Sequence, residues 1–382
     1  MDRIYLDHNA TTPVDPRVLE AMLPALREGF GNASSLHWFG QQARAALDEA
    51  RAEVARLIGA NPAEIVFTSS GTEADNLALR GAAGIARPPR RGIVYSAVEH
   101  HAVMNTAKSL AEDGWPVASV RASADGVIDL DELAARVDDT TALVAVMLAN
   151  NETGVIQPLK DVVALAHARG ALVHCDAVQA AGKIPIDVRA LDVDLLALSG
   201  HKIYAPKGVG VLYIKRGTRL RPWVRGGSQE RNRRAGTENI PGIVGMGRAA
   251  AIARAELAAE SPLAALRDRL EERLLAIPGT RRNGDGPRVP NTTNVSFAGI
   301  EAESLLMALD LAGVAVSTGA ACAAGAVEPS HVLRGMGLPM ERVQGSVRFS
   351  LGRGTKEADV DRAAETVATA VTKQRALAVT SR

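Results

Sequence analysis

The sequence predicts an α/β fold in which a mostly parallel sheet is covered by helices on both faces and a smaller α+β domain follows. Three observations predict it. Short β-branched runs alternate with helical patterns through the first half of the chain, as expected of strands joined by crossover helices. The return at Pro206-Lys207-Gly208 is too tight to hold a crossover helix, so one antiparallel strand enters the sheet. A long Ala-rich helical pattern, about 243–260, stops at Ser261-Pro262, and the spacing of elements changes beyond it. The boundary placed there separates a large domain, 14–261, from a small one made of 1–13 with 262–382.

Element by element, strands are expected at 65–68, 93–97, 142–148, 171–175, 194–198 and 210–214, with helices such as 73–84 and 161–169 between them. A second helix runs from the boundary to about 277, then short strands fall near 294–297, 314–317 and 346–350. The chain has 382 residues, 47% apolar and only 3% aromatic. Its core is therefore built mainly from Ala, Val, Leu and Ile, and the length suits two domains. A net charge of +1 with no long basic run excludes nucleic acid and anionic membranes as partners. The N-terminus lacks an apolar signal core, and the uncharged stretch 311–327 is too short and too weakly apolar to span a bilayer. Two cysteines, Cys175 and Cys322, make no disulfide framework, and a cytoplasmic protein is expected.

In open α/β sheets ligands bind beyond the carboxyl ends of the strands, so what each strand delivers there is informative. The first is followed by Ser69-Ser70-Gly71-Thr72-Glu73 at a helix start, where free N–H groups and hydroxyls suit a phosphate; capping by Ser70 or Thr72 explains the same residues. The next delivers Glu99-His100-His101, then Asn150-Asn151-Glu152, then Asp176 with Gln179 one turn on, then Ser199, His201 and Lys202. Five strand ends carrying polar and ionisable groups to one edge match the needs of pyridoxal 5′-phosphate. That cofactor takes a lysine for its Schiff base, a carboxylate at its pyridinium nitrogen, a phosphate cup and a group over its face. Asp176 lies about 26 residues before Lys202, one crossover step away.

The ordered series "YLDHNATTP", "GNASSLH", "TSSGTEADNLAL", "EHHAV", "NNETGVIQP", "HCDAVQAAGKIPID", "SGHKIYAPKGVG", "RRAGTENIP", "STGAAC", "EPSHVLRGMG" and "VRFSLGR" resembles cysteine desulfurases of the NifS/IscS type, fold-type I, class V pyridoxal-phosphate enzymes. The resemblance runs end to end. It implies a seven-stranded, mostly parallel sheet in the large domain and a cysteine-bearing loop in the small one. It implies that Lys202 carries the cofactor, Asp176 meets the pyridinium nitrogen, Gln179 bonds the ring hydroxyl and His100 stacks on the ring. Ser70, Gly71, Thr72, Ser199 and His201 hold the phosphate, and Thr237 reaches the phosphate of the other subunit of a homodimer. Asn151 and Arg348 grip the substrate carboxylate, and Cys322 takes the sulfur. Lys202 or His100 removes the α-proton. The implied reaction takes sulfur from L-cysteine, leaves L-alanine and a Cys322 persulfide, and feeds an acceptor such as an iron–sulfur scaffold or a tRNA-thiolation protein. No resident metal is implied, although Cys322 is open to ligating a transferred iron–sulfur cluster.

Physical reading bears on several of these roles. An arginine within a strand, as Arg348 is, is costly unless it meets a carboxylate; a rim ion pair is the alternative. His100 reads equally as a satisfied core histidine, and Thr237 as a helix cap. Cys175, inside a strand, reads as a small buried apolar residue. Cys322 lies among Gly and Ala, which suits a mobile loop as well as an Ala-rich helix. "EPSHVL" reads as a helix start with Pro329 near its first turn. Thr318, Ala320, Arg225 and Ser228 depart from the family pattern in two loops. A selenocysteine lyase, a small amino-acid transaminase and an inactive sulfur-relay paralogue are the competing functions.

Overall fold

The computed structural model describes residues 3–259, 261–319, 322–323 and 326–380, the side chains of 322–327 and 378–380 excepted. Its strands, in chain order, are β1 (Ile4–Tyr5), β2 (Ile65–Thr68), β3 (Gly92–Ser96), β4 (Val117–Val120), β5 (Thr141–Ala145), β6 (Leu172–Asp176), β7 (Leu195–Ser199), β8 (Gly210–Ile214), β9 (Thr280–Arg282), β10 (Thr292–Phe297), β11 (Val314–Ala315), β12 (Cys322–Ala323), β13 (Ala326–Val327) and β14 (Ser346–Ser350). Seven of them form one sheet in the order β2-β8-β7-β6-β5-β3-β4. Only β8 runs against its neighbours, as the short Pro-Lys-Gly return requires.

All residues of β7 and β8 are buried, as expected of central strands covered on both faces. One face packs the helices Trp38–Leu57 and Ile240–Leu257 over Phe67, Val173, Cys175 and Leu196. The other packs Gly71–Ala83 and His101–Glu112 over Ile93, Leu143, Leu195 and Leu212. The pleat thus sends Cys175 to the first face and its neighbours His174 and Asp176 to the other.

A second core forms around β10, which pairs antiparallel with β14 and β9. It gathers Leu270, Leu305, Phe297, Phe349 and Val367 together with Ile4 and Leu6 from the start of the chain. β1 pairs with β11, and Asp7 bridges to Ser350. The N-terminal segment is thereby fastened to β14 before it crosses to the large sheet, where Thr12 N–H meets the His201 carbonyl.

Two expectations are corrected. The edge strand β4 was not foreseen, because Val117–Val120 is only half buried and lacks a clear apolar run. The apolar run 142–148 leaves regular pairing after Ala145 and continues as a buried segment, with Val146 and Leu148 N–H groups on carbonyls of β6. Ser330 caps the helix His331–Gly335, with Pro329 just before the cap, near the first turn as expected. Among the described residues no helix is long and apolar enough to cross a membrane.

Candidate active site

The carboxyl edge of the large sheet opens on a cavity of about 370 Å³ lined by Ser70, Gly71, Thr72, His100, Asn151, Asp176, Gln179, Ser199, His201, Lys202 and Arg348. Every site residue expected from the sequence is in that lining except two. Thr237 is exposed and stands outside it, and the Cys322 side chain lies outside the described residues. The lining also holds Asn9, Ala10, Asp75, Ser317 and Gly319, which the sequence reading left without roles.

The phosphate end is built by the turn from β2 into the helix Gly71–Ala83. Ser70 is the N-cap, its hydroxyl accepting the Glu73 N–H at 3.1 Å. First-turn N–H groups have no partner within the helix and face outward. Gly71 lets this helix end approach β7: a Cβ there would lie 3.0 Å from Val178 Cγ2 and 3.2 Å from Ser199 Cβ. Glu73 receives Arg234 at 2.7 Å and 3.1 Å and the Ser69 N–H at 2.7 Å, fixing the turn. Thr237 is not a cap; Asn239 caps the helix that follows.

At the end of β6, Asp176 accepts the Val178 N–H at 2.9 Å. Burial pushes its carboxyl up, while that N–H and Lys202 pull it down. Asp75, His100 and Asp176 each bring a ligand atom within 4.8 Å of one another. Asp75 is also 2.9 Å from His174 Nε2, and burial first, then Asp176 and Glu99, raises it. A set of buried carboxyls short of cations is suited to a cationic ring N–H.

Lys202 leaves β7 through the turn Gly200–Lys202, and its Nζ donates to the Asn9 and Ala10 carbonyls at 2.5 Å and 2.7 Å. Burial and then Arg348 lower its pKa to about 8, against the pull of Asp176 and Asp7. His100 caps its helix by accepting the Ala102 N–H on Nδ1 at 3.1 Å, so its ring proton belongs on Nε2. Burial and Lys202 lower His100 to about 4, leaving it neutral at pH 7. His201, lowered to about 4 by burial and Lys202, meets Thr11 at 3.1 Å.

Arg348 is nearly fully buried and pairs with Asp7 at 2.7 Å and the Asn151 carbonyl at 2.9 Å. Its Nε and the Asn151 Oδ1 are buried without partners. The ion pair foreseen as an alternative for Arg348 therefore exists, but at the cavity wall and with Asp7. Cys175 is buried and free, and burial pushes its thiol up. A helix-end cradle, an amine of lowered pKa and a buried carboxylate together fit pyridoxal 5′-phosphate.

A family model described as aminotransferase class-V matches residues 4–363. A cysteine desulfurase of Trichormus azollae is 51% identical over 380 residues, covering 99% of this chain and 95% of that protein. Cysteine desulfurase IscS of Methanosarcina thermophila is 47% identical over 374 residues, 97% of this chain and 93% of the relative. A solved NifS-like protein superposes with a TM-score of 0.90 at 40% identity, over 97% of this chain and 99% of its own.

Proposed function

We propose, since the chain belongs to the class-V aminotransferase family, that it is a pyridoxal-phosphate-dependent cysteine desulfurase, turning L-cysteine into L-alanine and leaving the sulfur as a persulfide on Cys322. The relatives that match almost its whole length carry that activity in their names. The observation that carries the reading is that Lys202, Asp176 and the helix start Ser70-Gly71-Thr72 line one cavity. When bound, the cofactor supplies a carbonyl carbon that condenses with amines and a ring that accepts the electrons of the substrate's Cα–H bond.

The chain's own groups take the remaining roles. Lys202 Nζ anchors the cofactor and, once displaced, moves the α-proton; a pKa of about 8 leaves a working fraction of free amine near neutrality. Asp176 holds the proton on the ring nitrogen. His100 covers the ring face, and its Nδ1, already engaged by Ala102, favours Lys202 over His100 as the base. Gly71, Thr72, Ser199 and His201 hold the phosphate, with Thr237 of a second subunit completing it. Arg348 offers its unpartnered Nε to the substrate carboxylate beside Asn151. The Cys322 thiolate then bonds to the substrate sulfur as the Cβ–S bond breaks; the electron pair stays with Cβ, which takes a proton. Cysteine plus thiol gives alanine plus persulfide, balanced without an outside oxidant. The persulfide passes to a protein acceptor, an iron–sulfur scaffold or a tRNA-thiolation protein, in the cytoplasm, and the working unit is a homodimer.

The test is the stoichiometry of one turnover. L-cysteine should give alanine and protein-bound persulfide in equal amounts. Cys322→Ser should still change its absorbance with cysteine yet form no persulfide and release little alanine. Amino transfer that depends on a keto acid would identify a transaminase, and robust alanine with free sulfide from Cys322→Ser would identify a lyase.

A further inference from the structure

Lys183 stands behind the wall of the cofactor cavity, outside its lining, on the side of a second cavity of about 660 Å³. Its Nζ donates to Gln179 Oε1 at 2.6 Å and to Asn9 Oδ1 at 2.9 Å. Gln179 in turn donates Nε2–H to the Asn9 carbonyl at 2.9 Å, the same carbonyl that receives Lys202. Asn9 is locked from its other side, Nδ2 donating to Thr292 Oγ1 at 2.9 Å and the Asn151 carbonyl at 3.2 Å, with Asn291 donating to its Oδ1 at 3.1 Å.

A side-chain amide can present either its oxygen or its NH₂ to a ligand, and only its neighbours decide which. Here both ends are decided. The Gln179 oxygen is taken by Lys183, and turning the amide over would set NH₂ against the Lys183 nitrogen and oxygen against the Asn9 carbonyl. One Nε2–H is used on Asn9, and the other remains for the cavity. Lys183 serves in either charge state, since a neutral amine still has two N–H bonds for its two acceptors; burial, then the charges of Lys202 and Arg348, hold its pKa well below the usual lysine range.

We infer that Lys183 is a positioning residue that fixes the Gln179 amide so that it presents a donor, and not an acceptor, to the ring oxygen of the bound cofactor. The inference rests on the reading that Lys202 carries pyridoxal phosphate with that oxygen beside Gln179. A donor on the ring oxygen draws off negative charge that otherwise holds the proton on the nitrogen joining Lys202 to the cofactor. Removing the donor therefore raises the pH at which that nitrogen loses its proton, a change visible in the cofactor's absorption.

The experiment is an absorbance titration of the cofactor-loaded wild type, Lys183→Met, Lys183→Arg, Gln179→Ala and the Lys183→Met/Gln179→Ala double variant. Lys183→Met should move the midpoint up by about one pH unit, the worth of one hydrogen bond to a charged group. Gln179→Ala should shift it by a similar amount, the double variant no further than Gln179→Ala alone, and Lys183→Arg should lie closer to wild type. An unmoved midpoint in Lys183→Met overturns the inference. So does a full added shift when Lys183→Met is placed on Gln179→Ala, which would mean that Lys183 acts by its own charge. Lys183→Leu repeats the test if the methionine variant does not fold. A wild type that takes up no cofactor at all would instead overturn the reading of the site.

Discussion

Lys202 and Asp176 were legible as residues because Asp176 ends one apolar strand run and Lys202 follows another by one short turn, which puts both on the carboxyl edge of the sheet. Asp7 and Asn9 were not, because they reach the same place from the N-terminal segment, which follows no strand of that sheet; Lys183 does follow β6, but one turn beyond Gln179, where a lone lysine reads as a solvated charge. Asp75 left a readable signal, a carboxylate sharing the buried face of its helix with Gly71, Ala74, Ala78 and Ala82, a position that favours apolar side chains. Two predictions belong to single residues. Capture of added pyridoxal phosphate by cofactor-free protein needs the neutral amine of Lys202, whose pKa is lowered to about 8. The rate of absorbance growth should therefore rise from pH 7 to 9 and level off above that range; a rate flat across it would mean that the amine is not the titrating group. Asp176→Ala should lower kcat/KM roughly a hundredfold or more and alter the visible spectrum, because an oriented charge at the reacting system is lost. Near-normal turnover would make Asp176 structural.

The turn between β2 and the helix Gly71–Ala83 depends on a neighbouring strand. A Cβ at Gly210, the first residue of β8, would lie 2.3 Å from the Ser70 carbonyl carbon and 2.8 Å from the Gly71 nitrogen. Both are backbone atoms, so the cradle itself would have to move. Gly210→Ala should weaken cofactor binding about tenfold or more, in keeping with 1–3 kcal/mol for an overpacked contact, while the far-ultraviolet circular dichroism stays that of the folded chain. Unchanged affinity would show that the cradle tolerates the displacement. Elements were legible where the period and the turn chemistry agreed, as in β2, β8 and β14, whose bounds match those expected. They were misjudged where burial and pairing part company. The run 146–148 is as apolar as a strand but is buried as a connecting segment, and Val117–Val120 pairs at the sheet edge with little apolar signal. The segment before Ile240 holds three successive non-glycine residues at positive φ, Glu230 to Asn232. This costly backbone is stabilised by the buried pair of Arg51 with Glu230 at 2.7 Å and 2.8 Å, and no local pattern announces it.

At the scale of the whole molecule, Ser261-Pro262 falls between the helix Ile240–Leu257 and the helix Leu263–Leu275, which brings Leu270 and Leu274 to the second core, and Ile4 and Leu6 join that core from the other end of the chain. Assembly was not legible from pattern alone. Phe30, Leu36 and Trp38 are 79%, 91% and 64% exposed, and Phe39 lies 5.0 Å from both Phe30 and Trp38. Phe30 meets Phe39 at a tilt and Trp38 meets it edge-on; such a cluster is costly to leave in water, and it suits the contact surface of the homodimer proposed above. Leu36→Asp with Trp38→Glu should halve the sedimenting mass and weaken cofactor retention, since Thr237 would no longer reach a partner's phosphate; an intact dimer would place the interface elsewhere. In the proposed holoenzyme one lysine, Lys202, joins the chain to its cofactor on the edge of the sheet. Borohydride reduction of the holoenzyme followed by peptide mapping tests it most directly. A pyridoxyl group is expected on Lys202 and none in Lys202→Ala treated alike; a reduced adduct on Lys183, Lys207 or any other lysine would place the anchor elsewhere.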